Sequence, residues 1–484
     1  MQITITQPTA INLEDGNGAK HYDLGVIDIA ASIAHRVVAS GKATYVNASD
    51  DPKSGTRGGF NLAAELAALG VPITTYSIGI PGTKGFGVGI CDQPLPSYIV
   101  GLPGYNVVGH DNYGNYQTID GSIMAWIPAF YFKWGTGSNG LAINTISLIG
   151  ARSFSSHEVA LSQGYALHRM FYDGGFIKSG VFCDKYRCSR SADGIAVSVK
   201  NGAPLSSHSA HNPFSSLNGS PPNTYAGALD AAKTRGSGFF ANSRFIRAGL
   251  AMIARAHAQE SINTTYCNWY DATNNFPKGC NNGALRDAQD AGVLYVSDGY
   301  SSSALTGSGT PFGKTTHNGQ ACGVADLNGG MWEVTPGLTS DGASFYTIKQ
   351  SVGMASLTGG NTLATDAWGA AGLAANYTNI GATYGALLAS GATKLFGNAA
   401  QVFDSAQSGV AWEMACLGIP LVGGVGGSNA FGNDGLYDYR LNDLCPLSGG
   451  HWSNGSYAGI WTFDLSAVRS YSVATAGFRA ALYL

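Results

Sequence analysis

The chain has 484 residues with 27 basic and 30 acidic side chains, a formal net charge of −3, so there is no basic field to hold nucleic acid or an anionic membrane. Glycine is abundant at 68 residues and charged side chains make up only 12%, against usual shares of about 7% and about 25%. That composition predicts many tight turns and a neutral surface, and an aromatic content of 11% excludes the profile of a disordered chain.

The opening MQITITQPTAINLED is polar and alternating. It lacks the basic and apolar regions of a leader peptide. No apolar run approaches the ~20 residues that span a bilayer, so no membrane insertion is expected. Gln2 to Thr6 alternates like an edge strand. Asp28 to Ser40 places Ile29, Ile33 and Val37 on one face behind Asp28 as N-cap, which predicts a short helix stopped by Gly41. Lys42 to Asn47 reads as a strand, and Asn61 to Leu69 as a second helix. The stretch from Val71 to Asn115 is rich in Gly and Pro. The expected organisation is therefore a small mixed α/β module with its connector over residues 1–115, suited to attachment, followed by a larger domain over residues 116–484.

In the larger domain, Ile127 to Trp134 (IPAFYFKW) predicts an aromatic strand, and Gly174 to Arg190 a strand running into a basic, aromatic turn. Asn201 to Pro222 forms a Ser/Pro/Asn/Gly loop longer than a simple connection needs. Ser243 to Gln259 gives the strongest helix, with Ile246, Leu250 and Ile253 on one face and Arg244, Arg247 and Arg255 largely off it. Tyr266 to Tyr270 is expected to pack behind that helix, and Leu357 to Gly391 reads as an inserted loop system. Eight cysteines are scattered without a C-x-x-C pair, which gives no support for a zinc ribbon.

The final fifty or so residues, from Asp434, mix two kinds of position. Gly449, Gly450, Trp452, Gly477, Phe478 and Arg479 have the character of a scaffold. Tyr437, Asp438, Tyr439, Arg440, His451, Ser453, Tyr457, Trp461, Ser466, Tyr471, Val473 and Thr475 have that of a contact surface, where tyrosine is a rigid anchor and small polar residues adapt around it. The segment holds no Lys, Glu, Gln or Met.

Upstream, GVADLNGGMWEV (Gly323 to Val334) reads physically as a hydrogen-bonded turn entering a strand with Trp332 in the core. This string resembles the D-L-x-G-N-x-W-E-W signature of the formylglycine-generating-enzyme group of C-type lectin folds. VFCDKYRCSR (Val181 to Arg190), CNWYDA (Cys267 to Ala272) and the terminal GGHW…GFRAAL resemble that group's other motifs, in the same order. The resemblance implies an α+β fold of C-type lectin type with loop insertions. Its enzyme branch uses a close C-terminal cysteine pair, or a His-x-x-x-His-x-Glu set with iron. Here Cys445 lies far from Cys416, His208 and His211 have another spacing, and Ser448 stands where a basic residue precedes Gly-Gly-x-Trp. An enzyme is therefore not expected, and a formylglycine-generating-like oxidase is the least favoured reading.

The chain is more similar to the other branch, the variable proteins of diversity-generating retroelements, found as phage receptor binders and bacterial surface proteins. There, adenines of a template are randomised, chiefly in AAC codons. Changing the first two bases of AAC yields Tyr, Asp, His, Ser, Arg, Val, Ala or Thr and never Lys, Glu, Gln, Met or Trp. The contact positions fit that filter apart from Trp461, a fixed aromatic. The resemblance implies a virion-associated adhesin, displayed on a tail fibre, tail tip or capsid surface. Its diversified segment, about 434–476, would bind a host-surface protein or glycan, and its N-terminal module would join other virion proteins. It implies a homo-oligomer, a trimer in the related proteins, and no cofactor. Calcium binds in related folds, but Asp326, Asn328, Asn433 and Asp434 read as ordinary turn residues. The alternative function is a fixed head or tail decoration protein.

Overall fold

The computed structural model describes residues 77–260, 290–296, 302–309, 316–327, 329–359, 373, 375–397, 401–421, 431, 434–454 and 457–484, together with strands between residues 2 and 45. Two units are present, Met1–Thr74 and Thr75–Leu484.

In the first unit, Gln2–Ile5 lies between Gly25–Asp28 and Ala43–Tyr45 in a sheet of three strands, and Thr9–Asn12 pairs with Ala19–Tyr22. The first strand is thus central, with partners on both sides, and not the edge its polar alternation suggests. The strand expected over Lys42 to Asn47 is present as Ala43–Tyr45. Asp28 closes a strand, and the helix expected after it, like that of Asn61 to Leu69, lies outside the described residues.

The second unit begins some forty residues before the expected boundary at Asn115. Ile78, Phe86, Val88, Ile99 and Tyr113 are buried in its core, and Ile99–Gly101 and Asn115–Thr118 are strands of its main sheet. Many of the glycines in that stretch make turns that carry apolar side chains inward, so it belongs to the folded body and is not a connector. Gly87 has φ +90°, and a Cβ there would lie 2.7 Å from His317 Nε2.

The main sheet runs Phe239–Ala241, Ala480–Leu482, Gly180–Asp184, Ile123–Pro128, Asn115–Thr118, Ile99–Gly101. The chain terminus is therefore an interior strand, with Phe182 opposite Leu482 and Phe240 opposite Ala481. Every residue of Gly180–Asp184 is buried, and Phe182 packs on Trp126 and Tyr116 at centroid distances of 4.7 and 5.1 Å. The aromatic run Ile127 to Trp134 is divided between Ile123–Pro128 and Phe130–Trp134, in two different sheets.

The helix predicted from Ser243 forms over Arg244–Glu260, with Ser243 Oγ accepting from the Ile246 N–H. It differs from the expectation in having no open polar face in its first half. Ile246, Leu250 and Ile253 are buried as predicted, worth ~1.5–3 kcal/mol each, but Arg244 and Arg247 are buried as well. Their guanidiniums turn inward because carbonyls need donors there. Arg244 donates to Leu417 O and Ser448 Oγ at 2.8 and 3.0 Å, and Arg247 to Leu327 O at 2.5 Å. Ser448 thus accepts from a guanidinium that reaches it from the helix. The Leu357 to Gly391 region is more regular than expected, since Tyr377–Gly381 pairs with Phe345–Ile348. Tyr266 to Tyr270 and the CNWYDA motif lie outside the described residues. The result is an α+β protein in which strands dominate and helices are few. Among the described residues no helix is long and apolar enough to cross a membrane.

Candidate functional site

The second six-stranded sheet runs Ala392–Leu395, Gly435–Asp438, Phe463–Asp464, Leu447–Ser448, Trp332–Val334, Ala476–Gly477, and it gathers motif segments that are far apart in sequence. Trp332 lies opposite Ala476, and Glu333 opposite both Ser448 and Gly477. Arg479 ties them together, donating through Nε and Nη2 to Glu333 at 2.8 and 2.6 Å, and through other contacts to Asp184 O and Ala325 O. Both side chains are buried. Burial alone would push the Glu333 carboxyl up, but the Arg479 and Arg247 guanidiniums hold it below the usual value.

Alternation across this sheet sorts the proposed contact residues. On the inner side Lys394, Leu436, Phe463, Ser448 and Glu333 follow one another through successive pairings, all buried. On the other side Thr393, Tyr437 and Asp464 adjoin in the same way, with Thr393 exposed and the other two half-buried. Tyr439, two residues beyond Tyr437, is 38% exposed. The two rings are nearly parallel, 14° apart, with centroids separated by 6.4 Å.

Asp438 corrects the sequence reading. It is fully buried and accepts from the N–H groups of Leu388, Ala389 and Ser390 at 3.0 to 3.1 Å and from Lys394 Nζ at 2.5 Å. Burial opposes its charge, but the Lys394 ammonium and the Ser390 donors outweigh that and hold its carboxyl below the usual value. Asp438 therefore pins the 388–390 loop under the tyrosine strand and does not meet a ligand. Arg440 is half-buried, with Nε donating to Gly342 O at 3.1 Å and Nη1 to Ala382 O. Its charge is largely engaged by backbone.

The next loop is held from beneath. Gly449 and Gly450 have φ of +94° and +83°, and a Cβ on Gly450 would lie 2.4 Å from Ala458 Cβ. Trp452 is buried, and its ring meets His451 edge-on at 5.5 Å. His451 is half-buried, and burial pushes its imidazole down to about 4, so it offers a neutral ring at pH 7. Ser453 and Tyr457 are exposed, Tyr457 by 55%. Trp461 is the second correction. Its exposure is 0%, and it lies among Phe403, Phe431, Phe396 and Trp134 at 5.0 to 6.3 Å. It is core, because the turn at Gly459 sends it inward over Arg244. The turn itself is fixed by Asp434, whose Oδ2 accepts the Trp461 N–H at 2.8 Å. That carboxyl is buried, and burial pushes it up to about 8.

The remaining contact residues, Ser466 excepted, lie by the long Asn201 to Pro222 loop. Val473 N–H donates to Ser207 Oγ at 2.9 Å, and Ser472 Oγ donates to Ser207 O at 2.6 Å. Tyr471 is 49% exposed and meets the buried Tyr225 edge-on at 6.2 Å. Val473 is half-buried against the core, Ser466 bonds to Asp464, and Thr475 O accepts the Trp332 N–H at 2.8 Å. The structure therefore brings Tyr437, Tyr439 and Tyr457 around one end of the sheet. It sets Tyr471, Val473 and Thr475 by the 201–222 loop, and links the two groups through the His451 loop and Trp332.

Asp464 was missed by sequence reasoning. It lies beside Tyr437 only because Phe463–Asp464 pairs in parallel with Gly435–Asp438, and no local signal carries that pairing. Of the residues considered for calcium, Asp326 accepts from Gly307 N–H and Asp434 from Trp461 N–H, while Asn328 and Asn433 lie outside the described residues. Cys91, Cys183, Cys188, Cys322, Cys416 and Cys445 are buried free thiols. Burial pushes Cys445 up to about 12 and raises Cys416 as well. Searches with this sequence matched no protein-family model and no curated protein.

Proposed function

We propose that the chain is a virion-associated adhesin with a C-type lectin-type domain, whose terminal segment binds a host-surface ligand and is diversified by a retroelement. The observation that carries this reading is the division of labour within residues 434–479. Gly449, Gly450, Trp452, Phe478 and Arg479 are locked into the body, while Tyr439, Tyr457 and Tyr471 are 38%, 55% and 49% exposed. Side chains projecting from a frame that other residues hold can change without unfolding it. Pre-organised rings also bind without the cost of ordering a loop. Support for the lectin-type assignment comes from the meeting of the motif segments around Arg479 and Glu333. The buried, protonated thiols of Cys416 and Cys445 favour a binding role over thiol oxidation chemistry, since the thiolate is the reactive form.

In this reading Met1–Thr74 attaches the protein to the particle, and a homotrimer multiplies weak individual sites through effective concentration. Neither calcium nor another cofactor takes part in binding. The test is the nucleotide sequence around the 3′ end of the gene. A nearby repeat differing from the segment only at template adenines, with a reverse transcriptase gene beside it, is the expected result. A neighbourhood with neither would leave the surface fixed and overturn the diversification.

A further inference from the structure

Strand pairing adds Asp464, which the terminal motif pattern does not signal, to the contact residues Tyr437 and Tyr439. Thr393, Tyr437 and Asp464 lie side by side on three neighbouring strands, Thr393 exposed and the other two half-buried, with burial raising the Asp464 carboxyl and the buried Leu447 next in the row. Side chains so paired have Cβ atoms roughly 5 Å apart, within reach of one small ring. Asp464 Oδ1 accepts both the N–H and the Oγ–H of Ser466 at 2.6 and 2.5 Å. That leaves Oδ2 without a protein partner among the described residues, while the carboxylate stays oriented. Tyr439 lies over Gly391, where a Cβ would come within 3.2 Å of its ring, so the ring rests there on bare backbone. The nearby cations already have partners. Lys394 and Asp438 are paired below the surface, and Arg440 is bonded to Gly342 O and Ala382 O.

A fixed carboxylate oxygen beside two parallel phenol rings has a specific chemical preference. A carboxylate accepts hydrogen bonds from neighbouring hydroxyls. The negative face of a tyrosine ring attracts the polarised C–H face of a sugar. Thr393 and the two phenols add hydroxyls that can donate or accept. A ligand carrying its own carboxylate would be repelled by Asp464, while Lys394 is already paired with Asp438 and Arg440 is held by backbone carbonyls. From this arrangement we infer that Asp464, Tyr437 and Tyr439 form a calcium-independent subsite for a neutral pyranose of a host surface polysaccharide. The inference rests on the adhesin reading and names its ligand class.

The experiment uses the full chain on a printed array of neutral and acidic bacterial surface saccharides with EDTA present, and in parallel on bacterial cells treated with periodate or with protease. The expected result is EDTA-insensitive binding to neutral saccharides. Asp464→Asn and Tyr439→Ala should each lower it at least tenfold with the melting temperature unchanged, and Tyr437→Phe should lower it less. Array binding unaffected by Asp464→Asn would overturn the subsite. Cell binding that survives periodate and is lost to protease, with no array signal, would overturn the saccharide class and leave the adhesin reading standing. Binding to neither cells nor array would overturn both.

Discussion

The two sides of the sheet that carries the terminal segment use the same strands for opposite purposes. Inward lie Lys394, Leu436, Phe463, Ser448 and Glu333, all buried, with their charges paired. On the other side, at the Ala392–Leu395 end, lie Thr393, which is exposed, and Tyr437 and Asp464, which are half-buried. At this end of the sheet the residues alternate one by one, so the less buried Thr393 and Tyr437 each stand next to a side chain that holds the fold. Strand geometry, which sends successive side chains to opposite faces, lets a surface vary while its support is unchanged.

The inner ion pair is where a single substitution should cost most. Arg479→Ala leaves Glu333 buried with only the more distant Arg247 and Arg187 guanidiniums acting on it among the described residues, and should cost ~3–5 kcal/mol, read as a large drop in the urea midpoint. A change near that of a surface substitution would mean that the pair does not anchor the sheet. Trp461→Ala should cost a similar ~3–5 kcal/mol and lower the thermal midpoint by many degrees. If it lost only ligand binding, Trp461 would be a contact residue after all.

Asp438→Asn is the next step down. It keeps the shape but weakens the acceptor for three loop N–H groups and leaves the Lys394 charge unpaired, for ~1–3 kcal/mol. Faster hydrogen exchange at residues 388–390 would report it. Loss confined to binding, with exchange unchanged, would return Asp438 to the contact surface.

Asp434 sharpens the comparison through pH. A carboxyl whose folded value is raised lends stability that is complete below its unfolded value and is lost as pH rises through the folded one. With burial pushing it from 3.8 up to about 8, the wild type should lose stability across that window. Asp434→Asn should remove that part of the slope and gain on the wild type as pH rises. Melting temperatures that run parallel for the two proteins from pH 4 to pH 9 would show that Asp434 titrates normally. The smallest effect is expected from the outer side. Alanine at Tyr439, Tyr457 and Tyr471 should each shift stability within about 0.5 kcal/mol, while the combined variant loses binding to host cells. A stability loss matching that of Trp461→Ala would erase the distinction between the two sides.

Much of the fold was legible where the chain is locally consistent. The helix from Arg244, the strand at Trp332 and the turn glycines Gly449 and Gly450 stand where periodicity and residue type put them. The errors cluster where charge or polarity was taken as a sign of exposure. Arg244, Arg247 and Asp438 are buried because loop backbone groups far along the chain need their donors and acceptors. Within the candidate site, Tyr439, Tyr457 and Tyr471 are exposed as their residue type suggested, whereas Trp461 is core.

By itself the sequence determined the local vocabulary: a neutral, glycine-rich chain with a strong amphipathic helix from Ser243 to Gln259 and an aromatic, hydroxyl-rich end free of Lys and Glu. Only the tertiary structure decided which of those terminal residues face outward and which distant residues join them. Register is the physical reason. A one-residue shift in strand pairing exchanges every inward side chain for an outward one. That register is set by long-range contacts such as Lys394 with Asp438 and Glu333 with Arg479, which no local pattern in the sequence records.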